Sequence, residues 1–176
     1  MLSQKMQDAL NKQINAELYS GYLYLSMSAY YQSLNLPGFA NWMHIQMQEE
    51  QAHAQIMYNY VVDRGGRVML SAIDGPQTEW DNPAAPFEAA YQHEMKVTGM
   101  INNLVNLAIQ ESDHATTSFL QWFVTEQVEE EKNASGIAQQ LKFIGDAPAG
   151  LLMLDRELAV RVFTPPAILT GGTPAA

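Results

Sequence analysis

The sequence predicts an all-α fold: a four-helix bundle with one long crossover between the second and third helices, plus a short fifth helix. Three observations predict it. Four stretches of about 27–31 residues repeat apolar side chains at helical spacing. Short breaks separate the first stretch from the second and the third from the fourth. Between the second and third lies one segment of about twenty residues, rich in Pro, Gly, Asn and Asp.

Residues 4 to about 34 read as the first helix, with Leu10, Ile14, Gly21, Leu25 and Ser28 along one stripe. The stretch Asn35–Gly38 breaks it. Pro37 suits the first turn of the second helix, which runs to about Arg64. Gly65–Gly66 stops that helix, and the crossover VMLSAIDGPQTEWDNPAAP follows. The third helix runs from near Pro86 to about Ser112, with Asp113–His114 as a tight connection. The fourth runs from about Thr116 to Ile144 and stops at Gly145. Pro148 then opens a short fifth helix through LLMLDRELAVR. The tail TPPAILTGGTPAA has no periodicity, so residues 1–164 read as one domain and 165–176 as a flexible tail.

Helices of this length are roughly 40 Å long. Short connections make the first pair antiparallel, and the second pair likewise. About twenty residues can reach roughly 65 Å when extended, enough to return along a whole helix. The second and third helices then run parallel, a recognised variation on the four-helix bundle.

Acids outnumber bases 19 to 9 in the 176 residues, for a net charge of −10. That argues against nucleic acid and against anionic membrane surfaces as partners, and it suits a cation. The absence of cysteine excludes disulfides, thiolate zinc sites, iron–sulfur clusters and a catalytic thiol. The start, MLSQKMQDALNK, has no signal-peptide core, and no stretch approaches a membrane span. A cytoplasmic protein with no membrane partner is expected.

Polar residues interrupt the apolar stripe of every long helix. Placed at 100° per residue, Glu17 falls on the line of Leu10, Ile14 and Tyr24. Glu50 and His53 fall with Phe39, Met43 and Met57, and Glu94 with Phe87, Tyr91, Val97 and Ile101. Gln127 and Glu130 fall with Phe119, Phe123, Ile137 and Leu141. A buried unpaired carboxylate costs several kcal/mol, and four would consume most of a domain's roughly 5–15 kcal/mol of stability. No basic residue shares these stripes, since Lys96, Lys132 and Lys142 point elsewhere. Bound cations resolve the conflict: the four glutamates carry four negative charges, and two divalent metals carry four positive ones. Glu50 and His53, at i and i+3, reach one point on one face. Oxygen-rich ligands with one imidazole suit iron or manganese. A single Glu-x-x-His is more often surface decoration, and a single Tyr24 more often a core aromatic. The conjunction over four helices outweighs those readings.

The residues that carry these interruptions resemble the ferritin family, and closely the bacterial non-haem ferritins. The resemblance covers the chain to about residue 163 through INAELYSGYLY, MQEEQAHAQ, AYQHEMKVTGMINNL, SFLQWFVTEQVEEE and GLLMLDRELA. It implies a ferritin-like four-helix bundle in which Glu17, Glu50 and His53 bind one iron. Glu50 then bridges to a second iron completed by Glu94 and Glu130, with Gln127 beside the pair. Tyr24 would lie near this diiron centre as an electron donor, with Trp122 a weaker candidate. Glu49, Glu126, Glu129 and Glu130 resemble a third iron site. Bacterioferritins repeat Glu-x-x-His on the fourth helix, where this chain has Gln127-Val-Glu-Glu130, and place a haem-binding methionine where it has Gln51-Ala52. No haem is therefore expected. Many animal ferritins line a threefold pore with acids at positions where this chain has Thr117 and Leu120, although Glu111 and Asp113 lie nearby.

The implied activity is a ferroxidase. Fe(II) is oxidised by dioxygen or hydrogen peroxide and stored as a ferric oxo-hydroxide mineral inside a homo-oligomeric cage of twenty-four subunits. The alternative is a diiron peroxidase or oxygenase on the same bundle, without mineral storage.

Overall fold

A computed structural model describes residues 2–169. It contains five α-helices: α1 Gln4–Ser33, α2 Pro37–Asp63, α3 Ala85–Gln110, α4 His114–Ile144 and α5 Pro148–Leu158. A single 3-10 turn, Ala167–Leu169, follows, and no strand occurs among the described residues. Residues 170–176, the end of the expected tail, lie outside the described residues. The helices group into two compact units, residues 2–79 with 148–169, and residues 80–147.

In the first unit, Ser3 caps α1 by accepting a hydrogen bond from the Met6 N–H at 3.0 Å. Asn35 ends it in the left-handed conformation, φ 57°. The Leu36 N–H then reaches Tyr31 O and the Asn35 N–H reaches Gln32 O, each at 3.1 Å. This 6→1 and 5→2 pairing satisfies the last carbonyls of the helix. Gly65, φ 71°, closes α2 in the same way, with the Gly66 N–H on Val61 O at 2.8 Å. Three residues link α1 to α2, so the helices pack antiparallel. Leu10, Ile14, Tyr24, Met27 and Tyr31 of α1 and Phe39, Met43, Met57 and Val61 of α2 are buried, and Tyr31 stacks on Phe39 at 5.1 Å. Leu25, expected on the buried stripe, is 43% exposed. It sits one residue beyond Tyr24, about 100° round the helix, and that rotation carries it out of the contact.

The crossover has no secondary structure of its own, yet its backbone is hydrogen-bonded to α1. Gln7 Oε1 accepts from the Arg67 N–H at 2.8 Å, and Asn11 Oδ1 from the Met69 N–H at 3.0 Å. Asn11 Nδ2 donates to Arg67 O, and Asn15 Nδ2 to Ser71 O and Ala72 O. Ser26 Oγ donates to Gln77 O at 2.6 Å. Partners on α1 rise in number with those on the crossover, so the segment returns alongside α1 in the direction α1 runs.

Helix α5 packs on α2. Asp155 Oδ1 accepts from the N–H groups of Gly38 and Phe39 at 2.8 and 3.1 Å. It thereby caps α2, whose own N-cap residue, Leu36, has no side-chain acceptor. Position 38 must be glycine, because a Cβ there would lie 1.6 Å from Asp155 O. The fifth helix ends at Leu158, short of the Arg161 expected from the sequence. Asn41 Nδ2 donates to the carbonyls of Leu158, Ala159 and Arg161 and holds the chain where it leaves the helix.

In the second unit, α3 and α4 form a helical hairpin. Ser112, φ 54°, closes α3, with the Asp113 N–H on Ala108 O at 2.9 Å. Asp113 then caps α4, accepting from the Thr116 N–H at 3.1 Å and from Thr116 Oγ1 at 2.7 Å. Phe87, Val97, Ile101, Leu120, Phe123 and Leu141 are among the buried side chains, while Tyr91 and Phe119 are half-buried. Among the described residues no helix is long and apolar enough to cross a membrane.

Candidate metal centre

Helices α1 and α2 bring three ionisable side chains together. Glu17, Glu50 and His53 are 1, 2 and 3% exposed. One ligand atom from each lies within 4.8 Å of the other two. Glu50 Oε2 is 3.6 Å from His53 Nδ1, as their i, i+3 spacing allows. Gln13, one turn before Glu17, donates Nε2 to Glu17 Oε1 at 3.0 Å. The other oxygen of Glu17, Oε2, is buried and accepts no hydrogen bond. Gly21, one turn further on, faces α2: a Cβ there would make ordinary van der Waals contact, 3.4 Å from Met47 O and 3.6 Å from Glu50 Cβ.

Burial pushes the Glu17 carboxyl well above its usual range, and the Glu50 carboxylate pushes it further; His53 and the Gln13 hydrogen bond act in the opposite direction. Both raising causes penalise the ionised form, and a cation bound among these groups reverses both. The orphaned Glu17 Oε2, the second carboxylate and the imidazole therefore fit a hard or borderline dication such as Fe(II).

In the second unit Glu94 on α3 and Gln127 and Glu130 on α4 are buried. Gln127 Nε2 donates to Glu94 Oε2 at 3.2 Å and to the Glu94 backbone carbonyl at 3.3 Å. A backbone carbonyl only accepts, so the nitrogen end of the amide is the one that faces Glu94 here. Glu130 follows Gln127 by one turn. Tyr24 is fully buried on α1, seven residues or roughly 10 Å along the helix from Glu17. Trp122 is half-buried, edge-to-face with Phe123 at 4.8 Å.

The residues expected at a third iron site occupy different settings. Glu49 is half-buried, and its Oε2 accepts from Arg161 Nη2 at 2.5 Å. Arg161 also donates Nη1 to Gln46 Oε1 at 2.8 Å and lies over the Trp42 ring at 4.5 Å. The chain thus supplies Glu49 with a cation of its own. Glu126 is half-buried, Glu129 exposed and Glu130 buried, at i, i+3 and i+4 on α4. Near the start of α4, Leu120 is buried and Thr117 Oγ1 donates to Asp113 O at 3.1 Å. Asp113 serves as the N-cap described above, and Glu111 is the C-cap residue of α3. Sequence reasoning missed Gln13, although i−4 from Glu17 is a readable spacing. It also missed Arg161, which lies beyond the end of a helix where no periodicity points to Glu49.

The ferritin-like domain family matches residues 7–144. The chain belongs to the ferritin family. This ferritin is 45% identical over 161 residues to a bacterial non-heme ferritin of Bacteroides fragilis, covering 92% of this chain and 100% of the relative. A bacterial non-heme ferritin of Staphylococcus saprophyticus is 39% identical over 163 residues, covering 93% and 98%. Among solved structures, an engineered closed form of the Archaeoglobus fulgidus ferritin has a TM-score of 0.92 and 55% identity, covering 93% of this chain and 100% of that one. The open-pore ferritin of the same archaeon has a TM-score of 0.91 and 54% identity, covering 92% and 100%. The fold of this ferritin is the ferritin-like four-helix bundle, with the long crossover after α2 and the short α5.

Proposed function

We propose that this ferritin stores iron in the cytoplasm, oxidising Fe(II) as it enters and keeping Fe(III) as a ferric oxo-hydroxide inside a closed homo-oligomeric shell. The observation that carries this reading is the buried convergence of Glu17, Glu50 and His53. Their two negative charges match one dication. Glu94 and Glu130, with Gln127 beside them, supply the carboxylates of the second iron in a diiron domain spanning residues 1–164. Two Fe(II) ions held together give up two electrons to one dioxygen, which takes two protons and leaves as hydrogen peroxide. With peroxide as the oxidant, the product is water. Pairing the electrons avoids releasing one-electron oxygen radicals. The protein contributes ligation and positioning, and the redox chemistry belongs to the metal.

Several finer assignments belong to this reading. Tyr24 is the candidate electron donor beside the diiron site. Glu126, Glu129 and Glu130 guide iron inward at a third site, and Glu49 joins them when it leaves Arg161. The shell has twenty-four subunits, as in the family the sequence resembles.

The test is aerobic addition of Fe(II) to the purified assembly, with particle size and retained iron measured together. Many irons per chain in a large particle are expected. Turnover without retained iron would assign a diiron peroxidase or oxygenase instead, and no oxidation above buffer would exclude both.

A further inference from the structure

Beyond the ligands, α3 and α4 share a second hydrogen-bonded arrangement. Gln127 Nε2 lies 3.4 Å from Thr98 Oγ1, in addition to its contacts with Glu94. Thr98 Oγ1 in turn donates to Glu131 Oε1 at 2.5 Å. Thr98 is i+4 from Glu94 and Glu131 is i+4 from Gln127, so the four side chains stack one turn above another across the hairpin. The row runs from buried Glu94 to half-buried Glu131. Its outer end opens on a cavity of about 600 Å³, lined in part by Tyr91, Thr98, Asn102, Gln127, Glu131 and Lys132.

The direction of each hydrogen bond follows from chemistry. A threonine hydroxyl has one proton, and an ionised carboxylate only accepts. Thr98 gives its proton to Glu131 and offers Gln127 only lone pairs. The Gln127 amide therefore meets three acceptors: Glu94 Oε2, the Glu94 carbonyl and Thr98 Oγ1. Turned end over end, the amide would set its own carbonyl oxygen against all three. One oxygen of Glu94, Oε2, is thereby held by a donor.

We propose that Thr98 and Glu131 are positioning residues that fix the orientation of the Gln127 amide and, through it, the carboxylate of Glu94. The effect on metal binding rests on the ferroxidase reading of Glu94; the orientation of the amide does not. Residues that orient a ligand from behind change metal affinity without touching the metal.

The test uses the full-length assembled protein and three variants. Thr98→Val keeps the shape and removes the hydroxyl, and Thr98→Ser restores it. Glu131→Gln gives Thr98 a neighbour that can donate, which frees the hydroxyl to turn towards Gln127. In metal-free crystals of Thr98→Val the Gln127 amide should leave Glu94, and in Thr98→Ser it should stay. Anaerobic Co(II) titration, read by visible absorption, should show binding at the Glu94-dependent site weakened about tenfold in Thr98→Val and Glu131→Gln. Thr98→Ser should stay within about twofold of the parent protein. Unchanged Gln127 geometry and Co(II) affinity in Thr98→Val would overturn the proposal, and so would an equal loss in Thr98→Ser. If Glu94→Gln leaves Co(II) binding untouched, the metal-ligand reading of Glu94 is lost, yet the Thr98→Val crystals still decide whether Thr98 positions the amide.

Discussion

Glu17 carries a carboxylate into the contact between α1 and α2, so its energetics depend on pH and on what binds there. Its folded-state pKa is raised from the ordinary value of 4.5, chiefly by burial. A carboxyl with a raised folded pKa favours the folded state while protonated. As pH rises from about 4.5, the metal-free protein should lose stability, and the loss should be complete above the raised value. Glu17→Gln removes that slope. Thermal unfolding of the metal-free variant should show a smaller drop than the parent as pH rises from about 4.5. The same variant should oxidise Fe(II) at least about tenfold more slowly in a stopped-flow assay, because a ligand is gone. His93 behaves in the opposite sense. Burial, helped by Lys96, pushes its imidazole down to about 4 from 6.5. The stability this gives is full above 6.5 and is lost as pH falls through about 4. The convergence of Glu17, Glu50 and His53 was legible in the sequence because helical spacing alone puts them on an apolar line. The partner of Glu49 was not, since Arg161 lies 112 residues away, outside any helix.

At the scale of elements, four helices end on residues with positive φ, of which Gly65 and Gly145 are glycines; Asn35 and Ser112 serve for α1 and α3. A side chain is strained in that conformation. Ser112→Gly should therefore stabilise the hairpin by about 0.5–1 kcal/mol, read as a rise in melting temperature. The docking of α5 works in the other direction. Asp155→Ala leaves the first amides of α2 without their carboxylate and should cost about 1–2 kcal/mol. Limited proteolysis should then cut near α5 sooner than in the parent. Gly38→Ala should be worse, because the added Cβ meets backbone rather than a flexible side chain. Helix ends at Gly65 and Gly145 were readable from composition. The role of Gly38 was not, because it depends on Asp155, 117 residues later. The early end of α5 escaped the sequence for a similar reason: the carbonyls that Asn41 captures belong to a contact between helices, not to local propensity.

For the whole molecule, metal and stability are linked. A dication that binds only the folded state adds about 2.7 kcal/mol per site at a hundredfold excess over its Kd. Addition of Co(II) should raise the melting temperature, a chelator should reverse the rise, and Glu17→Gln should blunt it. The four-helix architecture and the long crossover were legible from breakers and spacing. What holds the crossover was not, since Gln7, Asn11, Asn15 and Ser26 lie off the apolar stripe of α1, where sequence patterning does not distinguish one polar residue from another. These fasteners are amides and a hydroxyl, and none of them titrates in the physiological range. Hydrolysis of ferric iron releases acid wherever mineral grows. A seam stitched by neutral groups stays closed through such an acid pulse, while the ionisable residues elsewhere in the chain change their charge.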